Sequence, residues 1–152
     1  MMFNLDDFIK TYVTKRSDSM FETDIDSYRE DLSDIIGGKS VLVIGGAGSI
    51  GSSFIRALLP FKPSELYVAD TNENALTELT RNLRASGSFV PSVYLPYPMD
   101  YSSVTFKRFF KAHGGFDIVA NFSAHKHVRS EKDIYSVEAL LRNNVINARG
   151  LL

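Results

Sequence analysis

The sequence predicts an α/β fold: a parallel sheet of strand order 3-2-1-4 with helices on both faces, preceded by a helical extension. Three observations carry this expectation. From Lys39 onward, apolar strand-like runs alternate with helical periodicities, the signature of βαβ units with right-handed crossovers. The first run, Val41-Leu42-Val43-Ile44, is apolar throughout, as in a strand covered on both faces. It leads directly into Gly45-Gly46-Ala47-Gly48-Ser49-Ile50-Gly51, a glycine-rich turn between a strand and a helix.

Each element has its own signal. Leu5, Phe8, Ile9 and Tyr12 fall at helical spacing and predict a short helix over residues 5–14. Ile25, Tyr28, Leu32 and Ile35/Ile36 predict a second over 24–36, stopped by Gly37-Gly38. Residues 1–38 thus read as a helical extension that packs on the domain edge; an oligomerisation or partner arm is the rival reading. After the strand at 41–44, Ile50, Phe54 and Leu58 recur every fourth residue before Pro60, predicting a helix of about three turns. Residues 65–69 form the second strand. Residues 72–85 form a helix with Leu76, Leu79 and Leu83 inward and Thr71 or Asn72 as cap. Residues 89–95 form a weaker third strand, interrupted by Pro91. Residues 102–113 form a helix with Val104, Phe106, Phe109 and Phe110 apolar, ended by Gly114-Gly115. Residues 116–121 form the fourth strand. Ile134, Val137, Leu141, Val145 and Ala148 mark one face of a last helix.

Residues 39–152 therefore read as one domain. A doubly wound sheet normally has further strands, so the sheet is expected to be incomplete and the chain a portion of a longer protein. An open sheet edge and an uncovered apolar face predict self-association as a homo-oligomer, or modest stability.

Composition narrows the function classes. The chain has 152 residues, 44% hydrophobic and 23% charged, enough for a globular core. Its formal charge is -1, which offers no electrostatic ground for a nucleic-acid or anionic-membrane partner. Cysteine is absent, so disulfides, thiolate metal sites and cysteine nucleophiles are excluded. No apolar stretch is long enough to span a bilayer, and the acidic start Met1-Met2-Phe3-Asn4-Leu5-Asp6-Asp7 is no secretory signal. A cytoplasmic protein is expected.

The glycine loop has a distinct task for each glycine. Gly45 permits the tight turn, Gly48 lets the backbone approach a pyrophosphate, and Gly51 lets the helix pack on the strand. Main-chain N–H groups around Ala47, Ser49 and Ile50 then meet phosphates at the positive end of the helix dipole. The spacing is Gly-x-x-Gly-x-x-Gly. Asp70 ends the second strand, 70 − 51 = 19 residues after the last glycine, where a carboxylate hydrogen-bonds the adenosine ribose. It repels a 2′-phosphate, and the adjacent Thr71-Asn72 supplies no cation, so NAD is favoured over NADP. A bare strand–helix turn with Asp70 as a helix cap is the bland alternative. No Gly-Lys-Ser/Thr follows the glycines, which excludes a P-loop NTPase. This is a Rossmann-type reading.

Ligands of such sheets lie beyond the carboxyl ends of the strands. There the chain reads Ala120-Asn121-Phe122-Ser123-Ala124-His125-Lys126-His127-Val128-Arg129. Ser123 and Ala124 are small enough to lie under a cofactor. His125, Lys126, His127 and Arg129 offer donors to phosphates of a cofactor or a nucleotide-linked substrate; a solvated basic loop is the alternative. His-x-His has no carboxylate at ligand spacing, so no metal is expected. Asn121-Phe122-Ser123 matches a glycosylation sequon but sits at a strand end and is discounted. Asn144, within an apolar helix face, invites a hydrogen-bonding role near the cofactor or is merely exposed.

Gly45 to Gly51, Asp70-Thr71-Asn72-Glu73-Asn74-Ala75-Leu76, Ala124-His125-Lys126-His127-Val128 and Asn143-Asn144-Val145 resemble, in order and spacing, the extended short-chain dehydrogenase/reductases of polysaccharide biosynthesis. Among these, the resemblance is to the UDP-N-acetylglucosamine 4,6-dehydratase-like nucleotide-sugar enzymes. It covers about residues 39–152, and the Ala-His-Lys-His-Val segment is its most specific part. It implies a tightly held NAD(P) that takes a hydride from sugar C4, loss of water across C5–C6, and return of the hydride at C6, in a lyase acting on a UDP-linked amino sugar. Epimerase relatives share the oxidation at C4. By resemblance, Gly45, Gly48, Ser49, Ile50 and Gly51 bind pyrophosphate, Asp70 binds ribose, Ser123 and Ala124 line the cofactor, and Asn144 lies toward the nicotinamide. Asp100 stands near the position of an adenine-contacting Asp. The family's Tyr-x-x-x-Lys pair has no counterpart: none of Tyr12, Tyr28, Tyr67, Tyr94, Tyr97, Tyr101 and Tyr135 has Lys four residues later. A tyrosine paired with lysine is the acid/base of such chemistry, so this chain is expected to bind cofactor without turnover and to contribute no catalytic residue. A stand-alone dinucleotide-binding or sensor module, and an oligomerisation domain that merely keeps the fold, are the rivals.

Overall fold

The apolar runs form four parallel strands in one sheet: β1 (Ser40–Ile44), β2 (Glu65–Asp70), β3 (Val93–Pro98) and β4 (Ile118–Asn121), ordered β3-β2-β1-β4. This computed structural model describes residues 8–16, 20–126 and 133–151. The chain divides into two units, Met1–Asp34 and Ile35–Leu152.

Of the expected helix at 5–14, residues 5–7 lie outside the described residues, and Ile9–Thr14 is a π-helical turn with no buried residue. The expected continuous helix at 24–36 is two helices, α1 (Glu22–Ser27) and α2 (Arg29–Ile36). The break is local. Tyr28 leaves helical dihedrals (φ −110°, ψ 18°), and the Ser27 hydroxyl donates back to the Thr23 carbonyl at 2.8 Å, a side-chain bond that competes with regular helix. Tyr28 and Ile35 are exposed, and of α2 only Ile36 is buried.

In the second unit Val41, Leu42, Val43, Leu66, Val68 and Ala69 are fully buried. Leu42, Ile44, Tyr67 and Ala69 form one core cluster with Tyr101 and Phe106; strand alternation turns Val41, Val43, Leu66 and Val68 to the opposite face. β3 begins later than the predicted 89–95 and contains Pro96 and Pro98. It is an edge strand bonded only to β2, where a missing N–H costs no ladder bond on the open side.

The helices follow their caps. In α3 (Ser49–Leu58) the buried positions are Gly51, Ile55 and Leu58. Ile50, part of the four-residue spacing, is 65% exposed: the close approach of Gly51 to the glycine loop sets the helix's rotation. α4 (Glu73–Ala85) buries Leu76, Leu79 and Leu83, and Asn72 is its cap, Oδ1 accepting from the Ala75 N–H at 3.0 Å. α5 (Val104–His113) is capped by Ser103, whose Oγ accepts from the Phe106 N–H at 3.1 Å, and ends at Gly114 (φ +82°). It buries Phe106 and leaves Val104 outside. Ser103→Ala is expected to lower stability by about 1 kcal/mol, read as a thermal-melt shift of about 3 °C.

The last helix is α6 (Ile134–Leu141), continued by a π-helical turn, Arg142–Asn147. On its apolar face Ile134, Val137, Leu141 and Val145 are exposed, and Asn143 is the buried residue of the turn. The periodicity marks an apolar face correctly, but nothing among the described residues covers it.

β1 and β4 are fastened at their starts. Asp117 Oδ2 accepts from the Ser40 N–H at 2.8 Å and from its hydroxyl at 2.7 Å, and Ser40 Oγ accepts from the Asp117 N–H at 3.1 Å. These donors hold the Asp117 carboxyl below the usual carboxylate range. The resulting stability is therefore present above the unfolded-state pKa of about 4 and is lost as pH falls through the lower native value. Asp117→Asn is expected to lower the melting temperature at neutral pH and to flatten its dependence on pH below about 4, measured by thermal melts from pH 2 to 7.

Candidate functional site

The site lies beyond the carboxyl ends of β1, β2 and β4, the position that open parallel sheets give to ligands. Gly45 leaves β1 at φ +71°, and its N–H donates to the Ala69 carbonyl at 2.8 Å. A Cβ there would sit 2.7 Å from Ser123 N and 2.8 Å from Phe122 C. Gly51 touches the same turn from the helix side: a Cβ would overlap Gly45 O and lie 2.7 Å from Gly46 Cα. Gly48 differs. Its dihedrals are ordinary (φ −70°, ψ 168°), and the nearest atom to an added Cβ is Gly45 O at 3.4 Å. The protein's own packing makes no steric demand for glycine at 48.

The cavity encloses about 360 Å³. Gly45, Gly48, Ser49, Ile50 and Gly51 line one end. Asp70, Thr71 and Asp100 line a second side, and Ser123, Ala124, His125 and Lys126 a third. The structure thus brings together most of the residues the sequence singles out. Three do not line it. Ala47 faces Asp70, donating its N–H to Oδ2 at 3.0 Å. Asn72 is spent as the α4 cap. Asn144 clamps the main chain of His125, accepting from its N–H at 2.8 Å and donating to its carbonyl at 2.9 Å. Both amide groups of Asn144 are occupied there, so it positions the loop after β4 rather than facing the cavity. His127 and Arg129 lie outside the described residues.

Asp70 holds two turns at once: Oδ2 accepts from Ala47 in the glycine loop and Oδ1 from the Asn72 N–H at 2.9 Å. Its carboxylate therefore stands fixed at the cavity wall, and lone pairs left over from these two bonds can accept from hydroxyls. Asp100 is held similarly, Oδ1 accepting from the Ser102 N–H at 2.7 Å.

Sequence reasoning missed Met99, Tyr101, Phe122 and Asn143 in the lining. Tyr101 is 4% exposed, and its hydroxyl donates to the Asn143 carbonyl; burial pushes its phenol pKa up. Asn143 in turn donates to Asn144 Oδ1 at 3.0 Å. A chain of hydrogen bonds thus runs from Tyr101 through the two asparagines to His125. The only sequence signal was a buried-type aromatic beside Asp100 and a polar pair in an apolar helix. A π-helical turn frequently marks a functional site; here it carries both asparagines. Tyr101→Phe leaves the Asn143 carbonyl without its donor, an expected loss of about 1–2 kcal/mol read by thermal melt.

A parallel 3-2-1-4 sheet with a glycine turn after β1 and an acid closing β2 defines a Rossmann-type α/β domain. The chain matches the model of the polysaccharide biosynthesis protein family over residues 41–152, and it belongs to that family. It is 27% identical over 128 residues to EpsC of Bacillus subtilis, named a probable polysaccharide biosynthesis protein, covering 80% of this chain and 20% of that protein. Over 56 residues it is 43% identical to an uncharacterized membrane protein of Methanocaldococcus jannaschii, 37% of this chain and 17% of that one. The chain thus spans about a fifth of the length of these curated relatives. Among the described residues, no helix is long and apolar enough to cross a membrane.

Solved structures agree on the fold. Pen from Bacillus thuringiensis superposes with TM-score 0.62 at 25% identity, over 76% of this chain and 33% of that one. A short-chain dehydrogenase/reductase from Serratia marcescens gives 0.61 at 15%, over 76% and 49%. A structure from Haemophilus influenza described as a D-mannonate oxidoreductase, with bound NAD, gives 0.58 at 14%, over 80% and 54%.

Proposed function

We propose that this chain is the NAD(P)-holding portion of a nucleotide-sugar 4,6-dehydratase or epimerase of polysaccharide biosynthesis. The observation that carries the reading is Gly48: a glycine that the protein's own packing does not require, at the mouth of a cavity also lined by Ser49 and Ile50. A pyrophosphate against that turn would explain it. Asp70 would take the ribose hydroxyls, favouring NAD, and Ser123 and Ala124 would lie under the nicotinamide half. Family membership supports the sugar-modifying context, and the fold neighbours include one with bound NAD.

The bound dinucleotide supplies a reversible hydride acceptor for sugar C4. This chain's residues would bind it and orient it, with Lys126 at the cavity wall for a phosphate-linked substrate. They include no Tyr-x-x-x-Lys pair, so we expect binding without turnover from these residues alone, which leaves a non-catalytic dinucleotide-binding module as the second reading. Isothermal titration with NAD⁺, NADP⁺ and UDP-N-acetylglucosamine tests it. Dinucleotide binding tighter for NAD⁺ supports the assignment. A folded chain that binds neither dinucleotide refutes it.

A further inference from the structure

A second hollow lies between α5 and the π-helical turn that follows α6. It encloses about 290 Å³. Tyr101 is part of its lining and of the dinucleotide cavity's, and no other residue lines both. Neither the sequence motifs nor the family match assigns this hollow a task.

Its floor is apolar and belongs to the core. Phe106 is fully buried, and half-buried Phe110 lies nearly parallel to it, ring centroids 6.0 Å apart. Leu151 packs on the same core cluster, and Ile146 completes the apolar lining. The rim is cationic. Lys107 and Lys111 stand one turn apart on α5, and both line the hollow. Neither has an ion-pair partner among the described residues, and no lining residue is acidic. Lys111 lies in the last turn of α5, where a cation suits the helix dipole. Lys107 has no such reason, and like charges four residues apart on a helix repel. An anion held between the two ammonium groups would relieve that repulsion. Ligand sites combine apolar walls with a few convergent polar groups. An apolar floor under a purely cationic rim is complementary to a molecule with an apolar tail and an anionic head.

We infer that this hollow is a binding site for an amphipathic carboxylate, with its tail against Phe106, Phe110 and Leu151 and its head between Lys107 and Lys111. The inference is independent of the dinucleotide reading above.

NMR titration of the chain with decanoate, below the concentration at which it forms micelles, tests it, with decanol and decyltrimethylammonium as comparison ligands. Decanoate should shift the Leu151 methyl and Phe110 ring resonances. Decanol should bind at least about tenfold more weakly, and the cation should not bind. Lys107→Gln/Lys111→Gln should weaken decanoate binding about tenfold. Both lysines are exposed, so the variant keeps the fold, and an unchanged melting temperature verifies this. The exposed apolar face of α6 is an internal control. If the Ile134, Val137 and Leu141 methyls shift as much as that of Leu151, the ligand merely coats apolar surface and the inference fails. It fails equally if decanol binds as well as decanoate, or if the double variant keeps its affinity. A dimer in light scattering that the double variant turns into a monomer would assign the hollow to a second copy of the chain and overturn the carboxylate site.

Discussion

Gly51→Ala is expected to destabilise the domain by about 3 kcal/mol or more, whereas Gly48→Ala should stay within about 1 kcal/mol of wild type. The two glycines belong to one motif, and the difference is steric. At 51 the new methyl overlaps the Gly45 carbonyl and the Gly46 backbone, atoms of a turn pinned by the Gly45–Ala69 hydrogen bond and unable to yield. Alanine's better helix propensity, worth about 1 kcal/mol, does not offset that overlap. At 48 the methyl has room among protein atoms but projects at the cavity mouth. Gly48→Ala should therefore melt within about 3 °C of wild type and lose at least about tenfold in dinucleotide affinity. Gly51→Ala should melt about 10 °C lower. Thermal melts paired with isothermal titration separate the outcomes. An unchanged affinity in Gly48→Ala would mean that no phosphate lies against this turn.

Removing Asp70 should damage fold and binding together. Asp70→Ala strips acceptors from the Ala47 and Asn72 N–H groups. Both are charge-assisted bonds at a partly exposed site, so the expected cost is about 2 kcal/mol. The glycine loop loses its brace and the ribose its acceptor, which should lower NAD⁺ affinity about 100-fold. Asp70→Asn retains an acceptor for one of the two turns and should lose less stability, yet it removes the charge that disfavours a 2′-phosphate. The ratio of NAD⁺ to NADP⁺ affinity should therefore fall in Asp70→Asn. A variant that melts early but keeps both affinities would reduce Asp70 to a turn brace.

Much of this site was legible because it is local in the chain. The order strand, glycine turn, helix, acid is written in consecutive residues, and each glycine's backbone demand follows from a turn a few residues long. The caps at Asn72 and Ser103 are equally local, since their partners lie three residues away. Other errors had local causes that periodicity does not see: the break at Tyr28, and the edge position that lets β3 run through Pro96 and Pro98.

The fold class, the sheet order and most of the residues that converge on the cavity follow from local sequence. Tertiary structure alone decided what each side chain does there. Asn144 sits where the motif places it, but its amide meets the His125 main chain 19 residues away in sequence. Tyr101 closes the cavity wall by reaching Asn143, 42 residues on. Ile50 turns outward because Gly51 must turn in, and the apolar face of α6 stays open because nothing described covers it. Periodicity tells which residues share a face; only the packed chain tells what that face meets, because partners distant in sequence leave no local spacing to read.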